Sequence, residues 1–288
     1  MVDVAGVIKR GWARVKSCRK DENDRPARAP SACADFQKAT DNMKKKISIL
    51  AASLLAPVFA HAACSDFMQT WVDKLHHGRT LDSRLAVCKE WPTNPDLTLA
   101  VLPLKQKGDS DDEGTDDMEV LVADSASGSV IAHVYEPNAI SFDAVQVDSI
   151  ELDTARYQLK PGNRAFGVRV DYSGSSRVSP FGWTSLNLYT IEGQTLRKLV
   201  DRLAMSNYSG ENDGPCDGYL DSTTRTIDIG PAGREGYAAL KIAEKSTHTV
   251  NKMVGQTCTD RDSPALRKNF TLEYNDGHYI VPKALRQD

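Results

Sequence analysis

Ala155-Arg-Tyr-Gln-Leu-Lys-Pro-Gly-Asn-Arg-Ala-Phe-Gly-Val-Arg-Val170 is the stretch that decides the fold class. Apolar and polar residues alternate on either side of Lys160-Pro161-Gly162-Asn163. A period of two is that of a strand with one face buried. Pro presets the backbone for the second position of a type II turn, and Gly supplies the positive φ the third position needs. The segment therefore predicts a hairpin, with Val145 to Leu159 and Ala165 to Tyr172 as its arms.

The same grammar recurs along the chain. Leu97-Thr-Leu-Ala-Val-Leu-Pro-Leu104 reads as a strand, and Pro103 hints at a sheet edge. Met118 to Ala123 and Val130 to Tyr135 flank the turn residues Asp124-Ser-Ala-Ser-Gly-Ser129. Ser185 to Ile191 and Gln194 to Val200 flank Glu192-Gly193, and Thr224 to Ile229 and Tyr237 to Glu244 flank a Gly-Pro-Ala-Gly turn. Phe270 to Tyr274 and His278 to Val281 flank Asn275-Asp276-Gly277. One helix is expected after residue 62, over Ser65 to His77. There Phe67, Trp71 and Leu75 recur at helical spacing, Ser65 or Asp66 offers a cap and Gly78 an end. The expected fold is all-β, an antiparallel sandwich or two small β domains over 97–288. The N-terminal helix and a disulfide-linked segment fill 63–96. An alternative is a propeller-like hairpin repeat, since Leu188-Tyr189 followed by Gly193 and Leu196 resembles Leu272, Tyr274, Gly277 and Tyr279.

Upstream lies a targeting signal. Met43-Lys-Lys-Lys46 precedes an uncharged apolar run, Ile47 to Phe59, and then Ala60-His61-Ala62. A basic n-region, an apolar h-region and a small-x-small site make a secretory signal peptide over 43–62. The run is shorter than the ~20 residues that span a bilayer. Residues 1–42 are polar and irregular, and read as sequence upstream of the true start at Met43; the competing reading is a cytoplasmic tail on a signal anchor. The expected location is periplasmic or secreted. A lipoprotein anchored at Cys64 is the alternative, with His61 standing where a lipobox has Leu.

The whole chain holds 36 basic and 39 acidic residues, and residues 1–62 hold 12 and 6 of them. The remaining 226 residues therefore carry 24 basic and 33 acidic residues, a net charge near −9. That excludes the basic footprint of a nucleic-acid binder and disfavours docking on anionic lipid. Four cysteines follow the signal, Cys64, Cys88, Cys216 and Cys258. In an oxidising compartment disulfides are the default, and sequence-local pairing gives Cys64–Cys88 and Cys216–Cys258. Loops of these lengths are worth about 3.5 and 4 kcal/mol in the chain-entropy picture. The rival is a zinc site, but the chain has no Cys-x-x-Cys and no zinc-finger histidine spacing.

Chemistry-bearing clusters are few. Asp109-Ser-Asp111-Asp112-Glu113-Gly114-Thr-Asp116-Asp117 has alternating oxygen ligands and a Gly, as a calcium loop does; Asp109, Asp111 and Glu113 would be ligands. The position that an EF-hand fills with a bidentate Glu is Val120, and the plain reading is a solvated loop. His76-His77 ends the helix, where the dipole favours imidazolium and neighbouring side chains diverge. Glu211 and Asp213, in the Gly-rich stretch Tyr208 to Asp217, form a carboxylate pair of the glycosidase kind; their plain reading is a turn. Phe181, Trp183 and Tyr189 make an aromatic group near Arg177, which is either a partner-binding hot spot, with Arg177, Phe181 and Trp183 as its residues, or core. No nucleophile elbow, zinc-protease helix or phosphate loop occurs, so no resident cofactor is expected.

The runs Met118-Glu-Val-Leu-Val-Ala-Asp-Ser125, Ala155 to Val170 and Gly174-Ser-Ser-Arg177 resemble a family of exported proteobacterial β proteins. The resemblance covers most of residues 88–282. It implies a periplasmic β protein and supplies no activity, cofactor or catalytic residue. Together these features point to an exported, non-catalytic protein that binds an envelope protein or a cell-wall component, with an inhibitor or immunity protein as one form. The alternatives are an envelope hydrolase working through Glu211 and Asp213, and a calcium-stiffened structural protein.

Overall fold

The computed structural model describes residues 64–108 and 113–286. The signal peptide over 43–62 and the upstream segment 1–42 lie outside the described residues. Helix α1 spans Ser65–Leu75, and fifteen strands follow. The first group is β1 (Thr80–Leu81), β2 (Val87–Trp91), β3 (Asn94–Lys105), β4 (Gly114–Asp124) and β5 (Val130–Phe142). The second is β6 (Val145–Lys160), β7 (Asn163–Gly174), β8 (Phe181–Glu192) and β9 (Thr195–Asp213). The third is β10 (Asp217–Ala232), β11 (Ala238–Val254), β12 (Thr257–Asp262), β13 (Leu266–Leu272), β14 (Tyr274–Asn275) and β15 (His278–Tyr279).

The architecture is all-β with one helix. Neighbouring strands pair antiparallel in a long meander, and the first and second groups join edge to edge where His133 meets Thr195 in a parallel bridge. Thirteen strands share one hydrogen-bonded network, so the hairpins are successive rungs of a meander and not the separate blades of a propeller. Lys160 pairs with Asn163, and Gly162 has φ +73°, as the third residue of a type II turn requires.

The sheet bends into layers. Alternate residues of β3 and β4, among them Leu99, Val101, Met118 and Val120, pack against Val147, Ile150, Phe166, Val168 and Val170 of β6 and β7. The other face of the second group, including Leu186, Leu188, Leu199 and Leu203, packs on Tyr237, Leu240, Ile242 and Leu272 of the third. Trp71 and Val72 of α1 cover Ala100, Leu102, Leu104 and Leu121 on the outer face of β3 and β4. Strands β3, β4 and β8 are thus buried on both faces, which is why Leu97 to Leu104 reads as a continuous apolar run instead of an alternation. Each such aliphatic side chain contributes about 1.5–3 kcal/mol when fully buried.

Two local expectations need correcting. The residue at the start of α1 is Cys64; Ser65 and Asp66 already lie inside the helix, and Cys64 makes no side-chain cap. Pro103 does not mark a free edge. On its outer side β2 pairs as far as Val101 and β1 resumes at Leu104, so Pro103 falls in the gap between them, where its missing N–H leaves no ladder bond unmade.

Both disulfides form as read, Cys64–Cys88 and Cys216–Cys258. The first ties the start of α1 to β2. The second ties the β9–β10 turn to β12, across an arm whose outer strand is exposed at every residue. Such bonds belong to an oxidising, exported setting. Among the described residues, no helix is long and apolar enough to cross a membrane.

Candidate functional site

Tyr172 and Trp183 are cross-strand partners on β7 and β8, and Phe181 lies two residues before Trp183 on the same face. This face continues the core between the first two strand groups outward, to where it meets solvent. The Tyr172 and Trp183 rings stack with centroids 4.8 Å apart at 17°, and Phe181 lies 6.4 Å from Trp183 at 10°. All three are half-buried. Gly174 makes the arrangement feasible, since a Cβ there would come within 2.2 Å of the Phe181 ring. Burial pushes the Tyr172 hydroxyl up to about 12, against an opposing pull from Arg202. On the reverse face, Asp171 accepts hydrogen bonds from Ser149 (2.8 Å) and Thr184, and Ser206 donates to Thr184 (2.9 Å). That polar ladder ties β7 and β8, which carry the aromatic face, to β6 and β9.

Beside the rings lies an open cleft of about 410 Å³, lined by Tyr172 and Trp183 together with Glu113, Thr115, Ser141 and Asp143. Its volume is within the range of small-ligand pockets. Phe181 and Trp183 are therefore brought together, whereas Tyr189 is fully buried in the core and Arg177 is exposed on the adjoining loop, where its carbonyl accepts from Asn212 Nδ2 at 2.7 Å. Glu113, read from the sequence as a calcium ligand, is an exposed residue of this cleft. Asp109 and Asp111 lie outside the described residues. The acidic segment is shorter than the sequence suggests, because β4 begins at Gly114 and buries Asp116 and Asp117.

A second polar cluster, not anticipated as a unit, sits where α1 ends over β4 and β5. Asp117 and Glu119 alternate on the helix-facing side of β4, and His133 and Tyr135 on that of β5. Glu119 is fully buried between two imidazoles, His76 Nε2 at 2.5 Å and His133 Nδ1 at 2.8 Å. His76 has left the helix as its terminal residue, which frees its ring to reach Glu119 and to lean on Tyr135. Asp117 stands opposite an irregularity in β5, where Met118 pairs with Glu136 but Asp116 with Ile140. It accepts hydrogen bonds from Arg79 (2.6 Å), Tyr135 (2.6 Å), the Asn138 N–H (2.8 Å) and Gln106 (2.9 Å). Burial alone would raise its pKa; the four donors outweigh that and hold it well below the usual carboxylate range. Burial likewise opposes the charge on Arg79, but its bonds to Asp117 and Tyr135 prevail and its pKa rises. Asp117, Arg79 and Tyr135 border a cavity of about 820 Å³. The available signal was the spacing of Asp117 and Glu119, which puts both on one strand face; their partners come from distant parts of the chain.

Glu211 and Asp213 lie on β9 near the tip of the β9–β10 hairpin, and both are exposed. Glu211 pairs across from Tyr219, whose ring leans on His248 with centroids 5.7 Å apart. The His248 imidazole is itself bonded to Asp221 at 2.7 Å. Among the described residues, no group of three or more His, Cys, Asp or Glu is placed to hold a metal ion. No family model matches the chain, and neither a curated protein nor a solved structure matches it.

Proposed function

We propose that this is an exported periplasmic binding protein, without catalysis of its own, that engages an envelope partner through the aromatic face of β7 and β8. The observation that carries the reading is the run of three near-parallel rings, Tyr172, Trp183 and Phe181, left half-open at the end of the layered core. Aromatic side chains offer a large contact area at low entropic cost and dominate binding hot spots. Export is supported by the signal-peptide pattern over Met43 to Ala62 and by the two disulfides. A non-catalytic role is supported by where the buried titratable groups are spent. Glu119 is held by His76 and His133, Asp117 is filled by four donors, and Asp153 holds Tyr157 and Arg169.

Affinity capture from envelope extract tests the reading. The exported protein and its Phe181→Ala/Trp183→Ala variant are compared by mass spectrometry of what they retain. The expected result is a partner retained by the first and lost by the second. Identical retention by both would remove the aromatic face from the function.

A further inference from the structure

We propose that the aromatic cleft receives a cationic side chain, lysine or arginine, of a basic protein partner. This rests on the binding reading above and names what the site takes. The cleft offers two attractions to a cation at once. Its wall is the stacked Tyr172–Trp183 pair, and the π surface of tryptophan and tyrosine attracts ammonium and guanidinium groups. Its lining includes the carboxylates Glu113 and Asp143, and among the described residues none that lines it is basic. The exposed Ser141 hydroxyl adds an acceptor for the N–H groups such a side chain carries. A volume of about 410 Å³ suits one or two side chains rather than a folded element.

The charge of the exported chain agrees with the cleft: residues 63–288 carry a net charge near −9, from 24 basic and 33 acidic residues. A protein of that charge steers basic partners towards it and repels acidic ones. A neutral glycan could stack on the same rings, but it would draw nothing from the carboxylates' charge. The salt dependence of binding therefore separates the two kinds of ligand.

Trp183 supplies the readout, because Trp71 and Trp91 are buried while Trp183 faces the cleft. The exported protein is titrated with decalysine and, separately, with a neutral chito-oligosaccharide, following tryptophan fluorescence at low and high salt. The expected result is a Trp183 response to decalysine that weakens steeply with salt. Isothermal titration calorimetry, which also reads the variants that lack the indole, should show decalysine affinity about tenfold or more weaker in Glu113→Gln/Asp143→Asn and in Trp183→Ala, and less weakened in Trp183→Phe, which keeps a ring. Equal decalysine affinity in the charge and ring variants would show diffuse attraction to an acidic surface and overturn the proposal. A salt-insensitive response to the oligosaccharide alone would overturn the cationic ligand yet leave the aromatic face as a binding site. Silence with both probes would overturn the cationic ligand; if envelope capture is also indifferent to Phe181→Ala/Trp183→Ala, the binding reading falls with it.

Discussion

Asp117 shows what one side chain does in this protein. It closes the irregular pairing between β4 and β5 by accepting four hydrogen bonds, one of them from the Asn138 backbone. Asp117→Asn removes the charge but keeps the size, and turns an amide NH2 towards either the Asn138 N–H or the Arg79 guanidinium, neither of which can accept it. Breaking a buried charged partnership from one side costs about 3 kcal/mol or more. Chemical denaturation should show a loss of that order with no change of fold by circular dichroism. The pH dependence has a fixed sign. An Asp whose folded pKa lies below its unfolded value of ~3.9 contributes fully above that value, and the contribution is lost as pH falls below it. Asp153 is lowered as well, its burial offset by bonds from Tyr157, Ala155 and Arg169. Wild-type stability should therefore drop below about pH 4, and Asp117→Asn should show a shallower drop. A parallel pH profile for the two would contradict this role. The sequence concealed Asp117 by placing it at the end of an acidic run, where a solvated loop is the ordinary reading. Its burial depends on Arg79 and Tyr135, which lie on other elements.

Among the elements, the hairpins were the most readable. Pro161-Gly162, Glu192-Gly193 and Asp276-Gly277 each mark a turn that the structure contains, because turn geometry is local chemistry. Helix α1 was readable for the same reason. The β11–β12 hairpin at Val254-Gly255 was not read. β12 is exposed on both faces, so Thr257-Cys-Thr-Asp-Arg-Asp262 shows no alternation to recognise. That strand belongs to an arm in which β10, β11 and β12 run on beyond the layered core, with Cys216–Cys258 as its clasp. The arm buries little apolar surface, so its order should depend on the clasp. Cys216→Ser/Cys258→Ser should lower stability by about 2–4 kcal/mol. It should also admit trypsin at Lys252 and Arg261 while the remaining sheet resists. Equal protease resistance in both proteins would show that strand pairing alone holds the arm.

The molecule as a whole stacks a helix and three strand groups, with both outer groups pressing on β6 to β9. Turn signals reached the all-β class and cysteine order the two disulfides, but a sandwich could be named without showing which strands cover which. Burial on both faces erases the period of two in β3, β4 and β8, and a short apolar run does not reveal what covers its second face. Phe181 and Trp183 were readable as an aromatic group; Tyr172 and Glu113 were not part of it, because only the pairing of β7 with β8 and the start of β4 bring them there. The most direct measurement is site-specific photo-crosslinking in living cells. A photoreactive residue would replace Val178, 64% exposed on the loop leading to Phe181, or Ile280, 57% exposed beyond β15. Engagement of a partner through the aromatic face predicts a discrete crosslinked product from position 178, abolished by Trp183→Ala, and none from position 280. A product from position 280 alone, or one from position 178 that survives Trp183→Ala, would contradict it.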